Sequence, residues 1–513
     1  MPEIAHAVPA TPHTPTSAAP VPPDRVLGGL PPVRPVTVGE VAARIADGPR
    51  LVVLDDDPTG TQAVAGVPVL TGWTVDDLRW GLRQDAAALF VLTNTRSLGP
   101  ADTAARNRDV VRALHKAARA ERVGYVVASR GDSTLRGHFP LETDVLAEEL
   151  AAVGTGPVDG VVVAPAFIEA GRLTVDSVHW LHTAGGLTPV GHSEFARDAT
   201  FGYRSSDLRE WVAEKTGGRV PADAVLPITL TDLRVGGPPH VAALLGGLRD
   251  GRPAVVDAVC DDDLRVLALA LAEAHERGKR LLYRVGPSFV RARTGQTARA
   301  PLTPAEIPRS PGGTAPHGLV TVGSHVGLTT RQLARVRARG GSGFAPAEFE
   351  LDVHTLLDPR RRERHIAETA AACAAALDRA DVVVRTSRTV VAGDDADTSL
   401  AIARQVSAAL VQTVRAVTAV RRPRFVLAKG GITSSDIATG ALDVRRAWVR
   451  GTLLPGIVSL WDPDSGPCMG VPYVVFPGNV GGDEALADVL DLLRGSALSE
   501  HAVTARPTTP KEA

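Results

Sequence analysis

Short apolar runs that end abruptly in Gly, Pro, Asp, Ser or Thr, each handing over to a helix-forming stretch, recur from Val36 almost to residue 500. The runs Leu51–Leu54, Ala88–Leu92, Tyr125–Ala128 and Gly160–Val163 are too short for buried helices, and their Val and Leu content reads as strand. Between them, Val75–Arg83 and Asp102–Arg119 carry apolar residues at helical spacing. Strands separated by helices in this way predict a doubly wound, mostly parallel α/β sheet. In such sheets ligands bind outside the carboxyl ends of the strands. The polar turns after these runs are therefore the places to look for chemistry.

At 513 residues the chain is too long for one ordinary core, so two domains are expected. The segment from Arg291 to about His317 is rich in Pro, Gly, Thr and Arg and reads as a linker or mobile loop. It separates a domain over residues 37–290 from a second over 318–500. Residues 1–36 and 501–513 read as loose tails, the first rich in Pro, Ala and Thr. Net charge is −1 with 22% charged residues. That balance gives no basic excess for nucleic acid or an anionic membrane. No apolar stretch approaches the length of roughly 18 residues that a membrane span needs. The three cysteines, Cys260, Cys373 and Cys468, match neither a disulfide framework nor a zinc spacing, and a reducing, cytoplasmic setting is expected.

Three aspartates, Asp55, Asp56 and Asp57, follow Leu51–Leu54 directly and precede Pro58-Thr59-Gly60. Carboxylates at a strand end are costly unless they hold a metal, accept a proton or are hydrogen-bonded by a loop. The other strands of the first domain lead into Asn94-Thr95-Arg96-Ser97 and into Arg130-Gly131-Asp132-Ser133-Thr134-Leu135-Arg136-Gly137-His138. Arg96, Arg130 and Arg136 suit bidentate capture of a carboxylate or phosphate. Asp132 is a candidate general base or an Asx-turn residue.

The second domain repeats one grammar three times. Leu319–Val322 runs into Gly323-Ser324-His325, Phe425–Ala428 into Lys429-Gly430-Gly431-Ile432-Thr433-Ser434, and Tyr473–Phe476 into Pro477-Gly478-Asn479-Val480-Gly481. Each is followed by a helix. Glycine lets backbone approach an anion, and a helix N-terminus presents unpaired N–H groups. Three such turns in one domain point to a nucleotide site, although none is a Walker A loop or a complete dinucleotide fingerprint.

Two enzyme readings use these residues. In the first, Asp55-Asp56-Asp57-Pro58-Thr59 matches the D-x-D-x-T pattern of haloacid-dehalogenase-type phosphatases, with Asp55 as nucleophile, Asp57 as acid/base, Thr93 at a second strand end and Asp394, Asp395 and Asp397 as a magnesium motif. No suitable lysine lies between Thr93 and Asp394, and the glycine turns stay unexplained.

In the second, the order of Asp56-Asp57-Pro58-Thr59-Gly60, Asn94-Thr95-Arg96-Ser97, Asp132-Ser133-Thr134-Leu135-Arg136-Gly137, Ala164-Pro165-Ala166-Phe167 with Gly171-Arg172, Gly323-Ser324, Gly430-Gly431-Ile432-Thr433-Ser434 and Pro477-Gly478-Asn479-Val480-Gly481 resembles the four-carbon acid sugar kinase family over about residues 48–495. The resemblance implies a sugar-acid-binding N-terminal α/β domain and a C-terminal nucleotide-binding α/β domain, with ATP and Mg2+ in the cleft between them. It implies Asp132, Asp56 and Asp57 as catalytic acids, and Thr59, Gly60, Arg96, Ser133, Arg136 and His138 around a tetronate-like acid. Ser324, His325, Lys429, Gly430, Gly431, Ile432, Thr433, Ser434, Gly478, Asn479 and Gly481 would meet the nucleotide. Two departures stand out: Arg130 replaces the family's lysine ahead of Asp132, and Thr61-Gln62 extend its first acidic motif. A non-catalytic sugar-acid sensor is a third reading. Partners are expected to be small molecules, with a homodimer among the open assembly states.

Overall fold

In a computed structural model, residues 19–339, 345–388, 391 and 396–495 are described. Their strands, in chain order, are β1 (Arg50–Asp55), β2 (Val67–Leu70), β3 (Ala88–Leu92), β4 (Tyr125–Arg130), β5 (Gly160–Ala164), β6 (Arg172–Val175), β7 (Val178–Thr183), β8 (Gly186–Pro189) and β9 (Leu226–Ile228), then β10 (Arg252–Val256), β11 (Leu281–Val285), β12 (Leu319–Val322), β13 (Ala347–Leu351), β14 (Val382–Thr386), β15 (Val426–Lys429), β16 (Arg446–Leu454), β17 (Val458–Pro463) and β18 (Tyr473–Phe476).

Fifteen of them form one continuous sheet in the order β13-β14-β12-β15-β18-β17-β16-β2-β3-β1-β4-β11-β5-β10-β9. Two parallel blocks, β13-β14-β12-β15-β18 and β2-β3-β1-β4-β11-β5-β10-β9, are the two domains. The joint is antiparallel: β18 pairs β17, β17 pairs β16, and β16 pairs β2 across the domain boundary, with Val69 opposite Ala447. The central strands are apolar on both faces because helices cover both. Val52 and Leu54 face one apolar core, Leu51 and Val53 the other.

The three antiparallel pairings leave the two parallel blocks running in opposite directions. Taken flat, their carboxyl ends would lie on opposite edges. Neighbouring strands in a sheet turn by roughly 20° against each other. Over the six steps from β15 to β1 in this strand order, that turn accumulates to about 120° between the blocks. Twist brings the two carboxyl edges round toward each other, and loops from both line one cavity.

Three features depart from the sequence reading. Residues 19–36 are packed against the first domain and are not a loose tail. Val21 pairs with Leu187, the Pro31 carbonyl accepts from Arg234, and the Val36 N–H donates to Asp262 at 2.9 Å. Residues 1–18 and the tail over 501–513 lie outside the described residues. The proposed linker is likewise pinned: Arg291 and Arg293 close the buried helix Pro287–Arg293, Gln296 bonds both backbone groups of Ala65, and Leu302 is buried after bonding Thr452. Composition suggested mobility there because these contacts use backbone and long polar side chains, not a periodic apolar face. The small antiparallel sheet β6-β7-β8 had no counterpart in the sequence reading. It carries Arg172 and His179.

Candidate active site

The acid cluster begins where β1 ends. Asp55 and Asp56 are buried, and a six-residue turn, Pro58–Ala63, starts from Asp57, whose Oδ1 accepts the Thr59 N–H at 2.8 Å. Two arginines answer the three carboxylates. Arg96 grips Asp56 with two nitrogens, at 2.5 and 3.2 Å, and lies 3.6 Å from Asp57 Oδ2. Arg130, from the end of β4, is 2.9 Å from Asp55 and 3.4 Å from Asp56. Gly60 sits directly over this pair, where a Cβ would come 2.1 Å from Asp55 Oδ2 and 2.3 Å from Arg130 Nε. Arg130 thus serves the acids from below and is not free to hold a ligand on its own account.

Charge in this cluster is unevenly shared. Burial would lift the Asp57 carboxyl, but Arg96, Arg130 and the bonds from Thr59 hold it below its ordinary value. Asp55 goes the other way and is pushed up to about 8 by burial, which outweighs Arg130 and is reinforced by Asp56 and Asp57. Asp56 and Asp57 keep the Arg96 guanidinium firmly charged against burial.

After β4, Asp132 accepts from Thr134 Oγ1 and from Arg136 Nε, the latter at 2.6 Å. Burial would raise its carboxyl, yet Arg96 and Arg136 hold it well below the carboxylate range. Arg136 also reaches Asp198 at 3.5 Å and lies 5.0 Å over the Phe195 ring. His138 faces away: its Nε2 meets the Leu98 carbonyl at 3.0 Å and its ring packs edge-on to Phe201. It positions the loop and does not line the cavity, unlike the substrate contact the sequence suggested. His179 is buried behind Ser133, with Nε2 2.8 Å from its carbonyl.

Across the cavity stand the second domain's turns. Gly431 opens the helix Gly431–Asp436, and a Cβ on it would come 3.2 Å from Asp57 Oδ2. Gly430 adopts φ +129°, which glycine tolerates and a side chain does not. The turns are tied to one another: the Gly430 N–H donates to Phe476, and Thr329 Oγ1 donates to Ser324 Oγ and to the Gly478 carbonyl. Added carbons at Gly323 and Gly478 would press on Thr433 Oγ1 and Ser324 Oγ at 2.3 and 2.6 Å. Backbone therefore lies bare where these turns converge, a cradle suited to phosphate oxygens.

The cavity is about 390 Å³. From the sequence candidates it collects Asp57, Thr59, Arg96, Asp132, Ser133 and Arg136 on one wall and Gly431, Ile432, Gly478 and Asn479 on the other. Asp56 and Gly60 lie behind the first wall as supports. Ser324, Gly430, Thr433 and Gly481 shape the second from behind, and His325 is exposed on its flank. Ser434 is a structural residue, donating to the Ala428 and Gly430 carbonyls. Lys429 is fully buried, with Nζ bonded to the Pro477 carbonyl at 2.7 Å and lying 3.8 Å over Phe476. It stitches β15 to the turn after β18 instead of reaching a phosphate, and burial drops its pKa to about 7. The sequence reading assigned no site role to Asn94, Phe167, Arg172, Phe195 and Ile457, which also line the cavity. For Arg172 the signal was present, because Gly171-Arg172 stood in the family pattern.

Among the described residues no three His, Cys, Asp or Glu side chains cluster as a metal site. Asp394 and Asp395 of the phosphatase reading, and the side chain of Asp397, lie outside what is described. Asp55, its nucleophile, is buried, paired with Arg130 and absent from the cavity wall.

Comparison with known proteins agrees with this two-sided arrangement. Residues 51–293 match a family model described as a sugar-binding N-terminal domain, and residues 319–486 one described as a nucleotide-binding C-terminal domain. The chain belongs to the four-carbon acid sugar kinase family, which these two domains define. No curated protein matches it in sequence. A solved structure described as a putative tRNA synthase from Salmonella typhimurium LT2 is similar at 18% identity, with 85% of this chain and 98% of that one covered and a TM-score of 0.60. A Haemophilus influenzae protein described under the family DUF1537 is 20% identical over 86% of this chain and 99% of its own, with a TM-score of 0.58. At these identities the two structures share the fold.

Proposed function

We propose that this protein is an ATP-dependent kinase that phosphorylates a hydroxyl of a four-carbon sugar acid, a tetronate or 3-oxo-tetronate. The observation that carries the reading is the meeting of Asp57 and Gly431 across one cavity: an acid of the sugar-binding domain faces the bare backbone of the nucleotide-binding domain so closely that a Cβ on Gly431 would come within 3.2 Å of its Oδ2. Phosphoryl transfer needs little covalent chemistry from a protein beyond positioning, charge neutralisation and a proton acceptor.

The residues divide that work. Asp57 is held ionised and turns Oδ2 toward the glycine turn, so it is placed to take the hydroxyl proton. Asp132 accepts from Thr134 and Arg136 and is placed to orient a second hydroxyl. Asp56 fixes the plane of Arg96. The backbone at Gly430, Gly431 and Gly478 would hold the nucleotide's phosphates, and Mg-ATP, when bound, supplies the transferable phosphoryl group with its charge partly neutralised. Mg2+ takes one or two carboxylates beside phosphate oxygens and water, and Asp57 and Asp132 are the cavity's carboxylates among the described residues. The three unpaired thiols fit a cytoplasmic setting.

Incubation with Mg-ATP and a panel of tetronates and 3-oxo-tetronates should release ADP only when the acceptor acid is present. Asp57→Asn should lower kcat by about 100-fold or more, on the scale of lost acid–base catalysis, and Asp132→Asn should also cut turnover by loosening the acceptor acid, both with nucleotide affinity retained. Phosphate release from a sugar phosphate without ATP would support the phosphatase instead, and tight acid binding without turnover would support a sensor.

A further inference from the structure

Four arginines line the cavity, and three are already answered by acids. Arg96 is held by Asp56 and Asp57, Arg130 by Asp55 and Asp56, and Arg136 by Asp132 and Asp198. Arg172 differs. It opens β6, and its backbone is clamped to Phe167 by two hydrogen bonds of 3.0 Å. Its guanidinium lies 5.9 Å from the centre of the Phe167 ring, and Nη1 donates to the Ala170 carbonyl at 3.2 Å. Nε is buried without a partner, and among the described residues no carboxylate pairs with it as Asp132 pairs with Arg136. Burial presses its pKa down, whereas Arg96 is pushed well above its ordinary value.

Asp132 acts on Arg172 only at a distance, and a half-buried cation whose Nε is sealed from water without an acceptor is costly unless a ligand supplies one. The turn fixes the backbone from which Arg172 projects, and the Ala170 carbonyl holds its Nη1 on the cavity side. Gly171 takes φ +68°, and an added carbon there would meet His182 Cβ at 2.7 Å. We propose that Arg172 is the specificity residue of this site and receives the carboxylate of the acceptor acid, with the Phe167 face limiting the guanidinium to one orientation. Arg96 and Arg136, which the sequence suggested for that role, instead keep Asp57 and Asp132 charged and in place. The inference rests on the kinase reading for its substrate class, but not for its anion chemistry.

Calorimetric titration with erythronate, threonate and the neutral polyol erythritol tests the anion site without any turnover. Wild type should bind an acid and not erythritol. Arg172→Gln should weaken acid binding about 10- to 100-fold, the range of one charge-assisted contact, and Arg172→Lys should recover part of the loss. Nucleotide affinity should be unchanged in both variants. The melting temperature of Arg172→Gln should hold or rise, since an uncompensated charge is removed, whereas loss of a structural arginine would lower it. The proposal is overturned if Arg172→Gln binds the acids as wild type does, if it loses nucleotide instead, or if wild type binds no four-carbon acid. Acid binding that depends on Arg172 without any ADP formation would sink the kinase reading and leave the carboxylate site standing.

Discussion

Replacing Asp55 by asparagine tests how the acid cluster holds its charge. Three carboxylates, Asp55, Asp56 and Asp57, face two guanidinium groups, Arg96 and Arg130, so one negative charge is left over. The excess is relieved at Asp55, 1% exposed, where burial pushes the pKa up to about 8. Between pH 4 and pH 8 the folded chain therefore keeps a proton that the unfolded chain has released. Stability falls as pH rises through this window by about 1.4 kcal/mol per unit and levels off above pH 8. From pH 5 to pH 8 the loss amounts to about 3–4 kcal/mol. Asparagine has the same shape and no proton to lose, and every other titrating group is common to both proteins.

The quantity to measure is the melting temperature of Asp55→Asn minus that of wild type, by circular dichroism at one scan rate, from pH 5 to pH 8. With about 2.1 cal/mol/K of unfolding entropy per residue over roughly 450 residues, the difference should grow in favour of the variant by about 4 °C across that range. A difference that stays constant would refute the reasoning. It would mean that Asp55 is ionised throughout and that Arg130 alone neutralises it.

Two further substitutions probe the supports of the site. Gly60→Ala drives a carbon into the Asp55–Arg130 pair at 2.1 and 2.3 Å. It should cost about 1–3 kcal/mol in urea denaturation, while Gly246→Ala, with open space around it, should be neutral or slightly stabilising; equal effects would show that the close approach at Gly60 relaxes freely. Asp77→Ala removes the carboxylate that accepts from the Thr74 N–H and hydroxyl, which is also the buried acceptor that Arg445 and Arg446 of the second domain share, the latter at 3.0 Å. A loss of about 2–4 kcal/mol is expected at pH 7. Arg445, Thr74 and Arg446 hold the Asp77 carboxyl below its ordinary value against burial, so the loss should shrink as pH falls below about 4. A loss that persists unchanged into acid would place the stabilisation elsewhere.

Several elements were readable because their physics is local. Ala88–Leu92, Leu319–Val322 and Tyr473–Phe476 have the same limits as apolar runs and as strands, since a strand covered on both faces has no polar positions to interrupt it. The candidate site residues were readable for a related reason: the turns after such strands are the polar breaks in an apolar pattern. Strands β6 to β8 were not, being four to six residues long with His, Thr and Gly among them, and their pairing depends on Val21 and Asp207 from distant parts of the chain.

The sequence by itself determined the two α/β halves, the acids and arginines at the strand ends of one and the glycine turns of the other, because each follows from residue type and short-range spacing. Tertiary structure alone decided which arginine answers which acid. A charge is assigned by distances of a few ångströms between loops far apart in the chain, 40 positions for Arg96 with Asp56 and 74 for Arg130 with Asp56. Three arginines of one motif set thereby became partners of the aspartates, and Arg172, opening a strand the sequence had not shown, was left without a carboxylate bound to it among the described residues. Structure also decided that the two carboxyl edges meet: the antiparallel joint and the twist of the shared sheet are properties of the whole strand order, and loops from both blocks line one cavity.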